Sequence, residues 1–167
     1  MGAYLTSTYI SSSVQLGAGL AMVEDKNFSG NAVTFSGLTG NYIYVCYLAG
    51  STAGAGDMTI KINNNVLATN YWRGEMLEDD IALSGERAND NSIGAIPVAG
   101  NHVWEVVIGG DVYANNVTYK VRQQGLGADT ITRVLSGNFG AVAITSIGFV
   151  CSVGFAGRAI LYRIGQR

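Results

Sequence analysis

The stretch VLSGNFGAVAITSIGFVCSVGFAG, residues 134–157, runs twenty-four residues between Arg133 and Arg158 without a charged side chain. Val, Ile and Phe are set among Gly, Ser and Thr, a composition that favours extended chain over helix. A strand with apolar side chains on both faces must be covered on both, because an open surface of this kind associates in water. The stretch therefore predicts a strand sealed on each side, by a second sheet or by a neighbouring subunit. It has the length of a transmembrane helix, about twenty residues. Against that reading, Gly137, Gly140, Gly148, Gly154 and Gly157 interrupt it, Thr145, Ser146 and Ser152 occupy its middle, and no basic or aromatic anchors close its ends. No membrane span is predicted.

Around this stretch the sequence alternates. Met58, Ile60 and Ile62 share one face while Thr59 and Lys61 take the other; Val117, Tyr119 and Val121 oppose Thr118, Lys120 and Arg122; Trp104, Val106 and Ile108 again line up. Tyr42 to Leu48 and Ala141 to Val153 are apolar on both faces and read as central. Further strands are predicted at Val14 to Val23, Ala32 to Phe35, Val66 to Trp72, Ile93 to Val98, Ile131 to Leu135 and Ala159 to Ile164, and no amphipathic helix appears. Pro97, the single proline, marks its strand as an edge or a bulge. Turn-formers cluster at Gly50 to Asp57, Asn63 to Asn65, Gly109 to Asp111 and Asn115 to Asn116. The expected fold is all-β, an antiparallel two-sheet β-sandwich, with one long acidic loop over about residues 73–91. One domain is expected, with residues 1–30 as an N-terminal arm or first strands and 31–167 as the sandwich.

Composition excludes several classes. With 48% hydrophobic and 13% charged residues the chain is not disordered, and a net charge of −2 gives no pull toward a phosphate backbone, so nucleic acid is not an expected partner. The first basic residue is Lys26, behind the apolar run Val14 to Val23, which does not read as a secretory leader. Without that route the sequons at Asn27 and Asn116 carry no weight. Cys46 and Cys151 fit no metal or redox spacing; buried free thiols and a bridge between facing sheets both stay open for them.

Catalytic constellations fail on inventory. His102 is the only histidine and follows Gly100 and Asn101, where an exposed turn residue is expected; no nucleophile elbow accompanies it. The glycine-rich Gly50 to Gly56 lacks the Lys-Ser/Thr ending of a phosphate loop and reads as a hairpin loop. Candidate ligand-binding residues gather instead at the acidic loop: Tyr71 and Trp72 border it as a stacking surface, and Glu78, Asp79 and Asp80 supply carboxylates. Calcium ligation by Asp79 and Asp80 and a solvated acidic loop are the two readings there, and the spacing matches no calcium loop. No catalytic residue, cofactor or metal is predicted.

The segment Gly37-Leu38-Thr39-Gly40 before Tyr42-Ile43-Tyr44-Val45, then Met58 to Asn63, then Thr69-Asn70-Tyr71, and at the end Phe155-Ala156-Gly157-Arg158 before Ala159-Ile160-Leu161-Tyr162, resembles small jelly-roll-like β-sandwich modules of phage and other virus structural proteins. The likeness spans roughly Phe35 to Ile164, and departs at Arg163 and at the acidic loop. It implies a non-enzymatic virion component, a capsid decoration, head fibre or tail module. Such a module would assemble as a homo-oligomer, trimer or higher, with other virion proteins as partners. The alternative is a lectin-like module binding a host-surface glycan. The N-terminal thirty residues match no pattern and are expected to dock on a neighbour.

Overall fold

The computed structural model describes residues 19–39, 42–64, 71–79, 82–88, 91–96, 99–111, 116–126, 132–139 and 143–164. They form ten strands: β1 (Leu20–Ser36), β2 (Ile43–Thr52), β3 (Gly56–Ile62), β4 (Tyr71–Asp79), β5 (Ala82–Ala88), β6 (Ser92–Ile96), β7 (Gly100–Asp111), β8 (Asn116–Leu126), β9 (Thr132–Phe139) and β10 (Ser146–Ile164). Among the described residues there is no helix, and none long and apolar enough to cross a membrane. Every pairing is antiparallel, in the order β5-β4-β9-β8-β7-β2-β10-β3-β6, with β1 on the other side of β10.

The two long strands turn this path into a nearly closed, barrel-like sheet. Over Ile147–Cys151, β10 pairs with β3; over Phe155–Ile164 it pairs with β2; β1 follows it along both parts. Between the parts the two strands bend together, at Gly154 (φ +76°) on β10 and at Gly30 (φ +129°) on β1, where the register also shifts. Side-chain-bearing residues rarely adopt such φ values, so glycine permits the bend. Beyond it β3 and β6 fold back over β7 and β8. Gly94 of β6 then lies so close to Gln123 of β8 that a β-carbon there would collide with Gln123 Oε1 and sit 3.2 Å from Trp104 Nε1 of β7.

The enclosed core follows the alternation. Tyr44, Cys46 and Leu48, Met58, Ile60 and Ile62, Trp104, Val106 and Ile108, Val117, Tyr119 and Val121, and Ile147, Phe149, Cys151, Phe155, Ala159 and Leu161 are all buried. A second device ties β3 to the start of β10. Asn63, in the left-handed region at φ +55°, accepts at Oδ1 from Thr145 N (2.7 Å), Thr145 Oγ1 (3.0 Å) and Ser146 N (3.2 Å). Its Nδ2 donates to Ala143 O (2.7 Å). Asn63→Ala removes these bonds and puts in the left-handed region a residue that adopts it less readily than asparagine does, so a loss of about 2 kcal/mol is expected by urea unfolding. Asn63→Gly should recover only the backbone part.

Several expectations change. Residues 73–91 are not a long loop: β4 and β5 form a hairpin, and β4 also pairs with β9. Charge at the end of a strand order is ordinary protection for an open edge, and it conceals a strand from a search for apolar alternation. The uncharged stretch is divided between β9 and β10. β10 is sealed on both sides only at its start, where Ser146 to Phe149 are all buried; farther along Val150, Ile160 and Tyr162 are half-buried and Ser152 and Ala156 exposed. The cover on its inner face comes from the chain itself. The strands described also belong to one continuous sheet, with β1 and β10 passing through the bend, where two separate sheets were expected.

The separate strands expected at Val14 to Val23 and Ala32 to Phe35 meet in a single β1, which crosses the 30/31 boundary and docks residues 20–30 on the chain's own β10. Residues 1–18 lie outside the described residues. Gly109 to Asp111 ends β7 instead of turning, and β6 stops at Ile96 as the last strand in the order, consistent with an edge; Pro97 lies outside the described residues.

Candidate functional site

Four of the five residues nominated from sequence lie along one strand. Tyr71 and Trp72 open β4, paired with Phe139 and Asn138, while Glu78 and Asp79 close it, opposite Leu83 and Ala82. Six strand residues from Trp72 to Glu78 span about 20 Å, so the aromatic pair and the carboxylates stand at opposite ends of one strand. The side chains of β4, and Asp80 altogether, lie outside the described residues. Among the described residues no group of three His, Cys, Asp or Glu is placed to hold a metal ion.

The nucleophilic and titratable groups inside the barrel are packing groups. His102 is buried on β7, 3% exposed, where a turn position was expected. The register explains this: Gly50 of β2 and Gly125 of β8 flank it, and its ring lies 5.5 Å from that of Trp104. Cys46 and Cys151 are both free and buried, so the bridge left open by the sequence is not made. Burial pushes both thiols up, that of Cys46 most strongly. Since the thiolate is the reactive form, neither is expected to react with a disulfide reagent at about pH 8 until denaturant is added, when both should titrate.

At the bend a cleft of about 320 Å³ is lined by Gly30, Ser51, Thr52, Val153, Gly154 and Phe155. It presents no charge, and the Thr52 hydroxyl oxygen is buried rather than offered to a ligand.

The outer face of the sheet is different. Antiparallel register places paired residues on one side, and four rows run across β1, β10, β2, β7 and β8. They are Leu20–Ile164–Ile43, continued by Gly109–Thr118 beside Ile43; Met22–Tyr162–Val45–Val107–Lys120; Asp25–Ile160–Tyr47–Glu105–Arg122; and Asn27–Arg158–Ala49–Val103–Gln124. The middle of these rows is apolar. Ile43 and Tyr47 are 43% and 41% exposed, high values for large apolar side chains, and Val45, Val103, Val107, Ile160, Tyr162 and Ile164 are half-buried around them. Tyr47 and Tyr162 meet edge to face at 6.1 Å. Gly109 leaves room beside Ile43, whose Cγ1 would lie 3.3 Å from a β-carbon there.

Strand spacing of about 4.8 Å and a two-residue repeat of about 6.8 Å give this patch roughly 400 Å² in projection. That is the size of the largest apolar patch on a typical single chain, and such patches are often functional. Both flanks are charged. On one side Arg158 Nε donates to Asp25 Oδ1 at 2.8 Å; on the other stand Glu105, Lys120 and Arg122. The hydrogen bond from Arg158 holds the Asp25 carboxyl below its ordinary value against the opposing effect of burial. The pair therefore stabilises the fold above the ordinary carboxylate range, and that contribution is lost as pH falls through the lowered value. Both partners are well exposed, so the contribution is small. Burial, then nearby Glu105 and Tyr162, push the Tyr47 phenol up.

Sequence reading reached the ingredients of this face but not the face. Its signal was the two-sided apolar run Tyr42 to Leu48; only the register shows that Ile43, Val45 and Tyr47 meet Ile160, Tyr162 and Ile164 on the outside. Compared with family models, curated proteins and solved structures, the chain matches none of them.

Proposed function

We propose that the protein is a non-enzymatic structural module that packs against copies of itself through the outer face of β10, β2 and β7, as a capsid decoration or fibre/tail module of a virus particle. The observation that carries the self-packing is the apolar middle of the four rows, centred on Ile43, Tyr47, Ile160 and Tyr162. The virion setting rests on the resemblance alone. The two limbs of the sheet, facing each other across one core, are what a jelly-roll-like sandwich would present, and that finer description belongs to the same proposal.

A second copy is the occupant the charges favour. Each flank of the patch carries both signs, Asp25 with Arg158 on one side and Glu105 with Lys120 and Arg122 on the other. The mixed signs give a strongly one-signed partner nothing to pair with, and leave the apolar middle to be covered by apolar chain of a second copy.

Light scattering and sedimentation of the full chain test this. The wild type should be oligomeric, and Tyr47→Lys should weaken association about a hundredfold or more, since it replaces a large buried aromatic contact with a desolvated charge. The melting temperature of the Tyr47→Lys chain should stay near that of wild type when both are monomeric, because Tyr47 lies outside the core. A wild type that remains monomeric at about 1 mM overturns the reading.

A further inference from the structure

We propose that residues 1–18 of one copy lie across the outer face of β10, β2 and β7 of the next copy, so that each subunit is capped by its neighbour. This rests on the self-packing reading above and names the segment that makes the contact.

Composition is the first argument. Residues 1–18, MGAYLTSTYISSSVQLGA, carry no charged side chain, and Tyr4, Leu5, Tyr9, Ile10, Val14 and Leu16 are set among hydroxyl-bearing Ser and Thr. Such a segment matches an apolar face far better than it matches water. The charges begin only inside β1, with Glu24, Asp25 and Lys26.

Attachment is the second. β1 begins at Leu20, opposite Ile164 in the top row of the face, and Leu20 and Met22 are themselves members of its rows. The strand runs from that row down toward Asn27, so a chain entering it at Leu20 arrives from beyond the top row. Continued in the direction of β1, chain before Leu20 would lead away from Tyr47 and Val103 of its own subunit. Eighteen extended residues reach about 60 Å, several times the roughly 20 Å height of the face, so a neighbouring copy is within range.

The face, not the free edge of β1, is the receptor. That edge is broken by register shifts at Met22/Glu24 and Gly30/Ala32, and carries Glu24, Asp25 and Lys26 in its middle, features that oppose addition of another strand. Because segment and face are different surfaces of one chain, the contact is satisfied either by reciprocal exchange in a dimer or head to tail. Head to tail, it closes into a ring of three or more when the rotation allows.

The test uses full-length chains. Ile10→Asp with Val14→Asp places two carboxylates in the segment without touching the sheet, and should weaken assembly about a hundredfold, as Tyr47→Lys does. In parallel, chains carrying Ser12→Cys and differently tagged chains carrying Ala49→Cys are mixed, refolded under reducing conditions and mildly oxidised only once folded, when the buried Cys46 and Cys151 do not compete. A mixed disulfide between the two tags is the expected product. If the double-aspartate chain assembles like wild type while Tyr47→Lys does not, the face is used by something else: the inference falls and self-packing stands. If a chain carrying both cysteines closes only on itself, the segment caps its own face and the inference falls. A monomeric wild type ends both.

Discussion

Gly157→Ala is expected to destabilise the protein by about 3 kcal/mol or more, although the same change in an ordinary strand stabilises by about 0.5–1 kcal/mol. Gly157 of β10 pairs with Gly50 of β2 and with Phe28 of β1. A β-carbon on Gly157 would collide with the carbonyl oxygen of Ala49, and would lie 2.7 Å from Gly50 Cα and 2.8 Å from Phe155 Cε1. On Gly50 it would collide with Ala156 O and lie 2.7 Å from both Gly157 Cα and Phe155 Cζ. The nearest obstacles are main-chain atoms of the ladder, which cannot rotate away as a side chain can. The remaining obstacle is the Phe155 ring, which covers both glycines while stacking on Phe28 at 4.8 Å and meeting Trp104 edge-on at 5.7 Å. Moving it would undo two aromatic contacts in the core, so the clash outweighs the entropic gain. Thermal unfolding should fall by roughly 6–12 °C for a chain of this size. Gly54→Ala serves as the control: nothing lies within 4 Å of its β-carbon, and its effect should stay within about 0.5 kcal/mol. A Gly157→Ala chain that melts with the wild type would mean that the ring does not cover the glycines.

The same row shows where sequence reading stops. The alternations at Met58, Ile60 and Ile62, at Trp104, Val106 and Ile108, and at Val117, Tyr119 and Val121 predicted a core face, and all nine residues are buried. Period-two burial is a local property, legible wherever one face is wet. What surrounds a strand is not local. His102 is buried because β2 and β8 bring Gly50 and Gly125 alongside it, and nothing near residue 102 announces either partner. β1 was divided in two because its middle, Glu24 to Gly30, reads as a polar break; it is one strand because β10, over a hundred residues later, accompanies it through the bend. The β4–β5 hairpin was hidden for the converse reason, since its charges suit the end of a sheet and imitate a loop. The outer face falls between these cases. A two-sided apolar run at Tyr42 to Leu48 was visible, and its meaning depended on a register that only the folded chain supplies.

Trp104→Ala should be the most damaging single truncation, costing about 3–5 kcal/mol, and should loosen β3 and β6 before the rest of the sheet. The indole is fully buried where the folded-back limb meets the wall formed by β7 and β8. Gly94 of β6 rests on it directly: the glycine has φ +152°, and a β-carbon there would collide with Gln123 and stand 3.2 Å from the indole nitrogen. β6 is further held by its short ladder with β3, from Gly56↔Ile96 to Thr59↔Ser92, and by Ile93 and Ile96 buried in the same core. Removing the ring opens a cavity along the closure line, so amide exchange within Met58–Ile62 and Ser92–Ile96 should accelerate more than within Val117–Val121. Trp104→Phe separates packing from polarity. The Trp104 Nε1 proton is buried with no acceptor among the described residues. Phenylalanine keeps most of the ring and removes that donor, so its cost should be only about 1 kcal/mol. Exchange that rises uniformly over all strands in the alanine variant would show that the barrel opens as one unit, with no limb closing on Trp104.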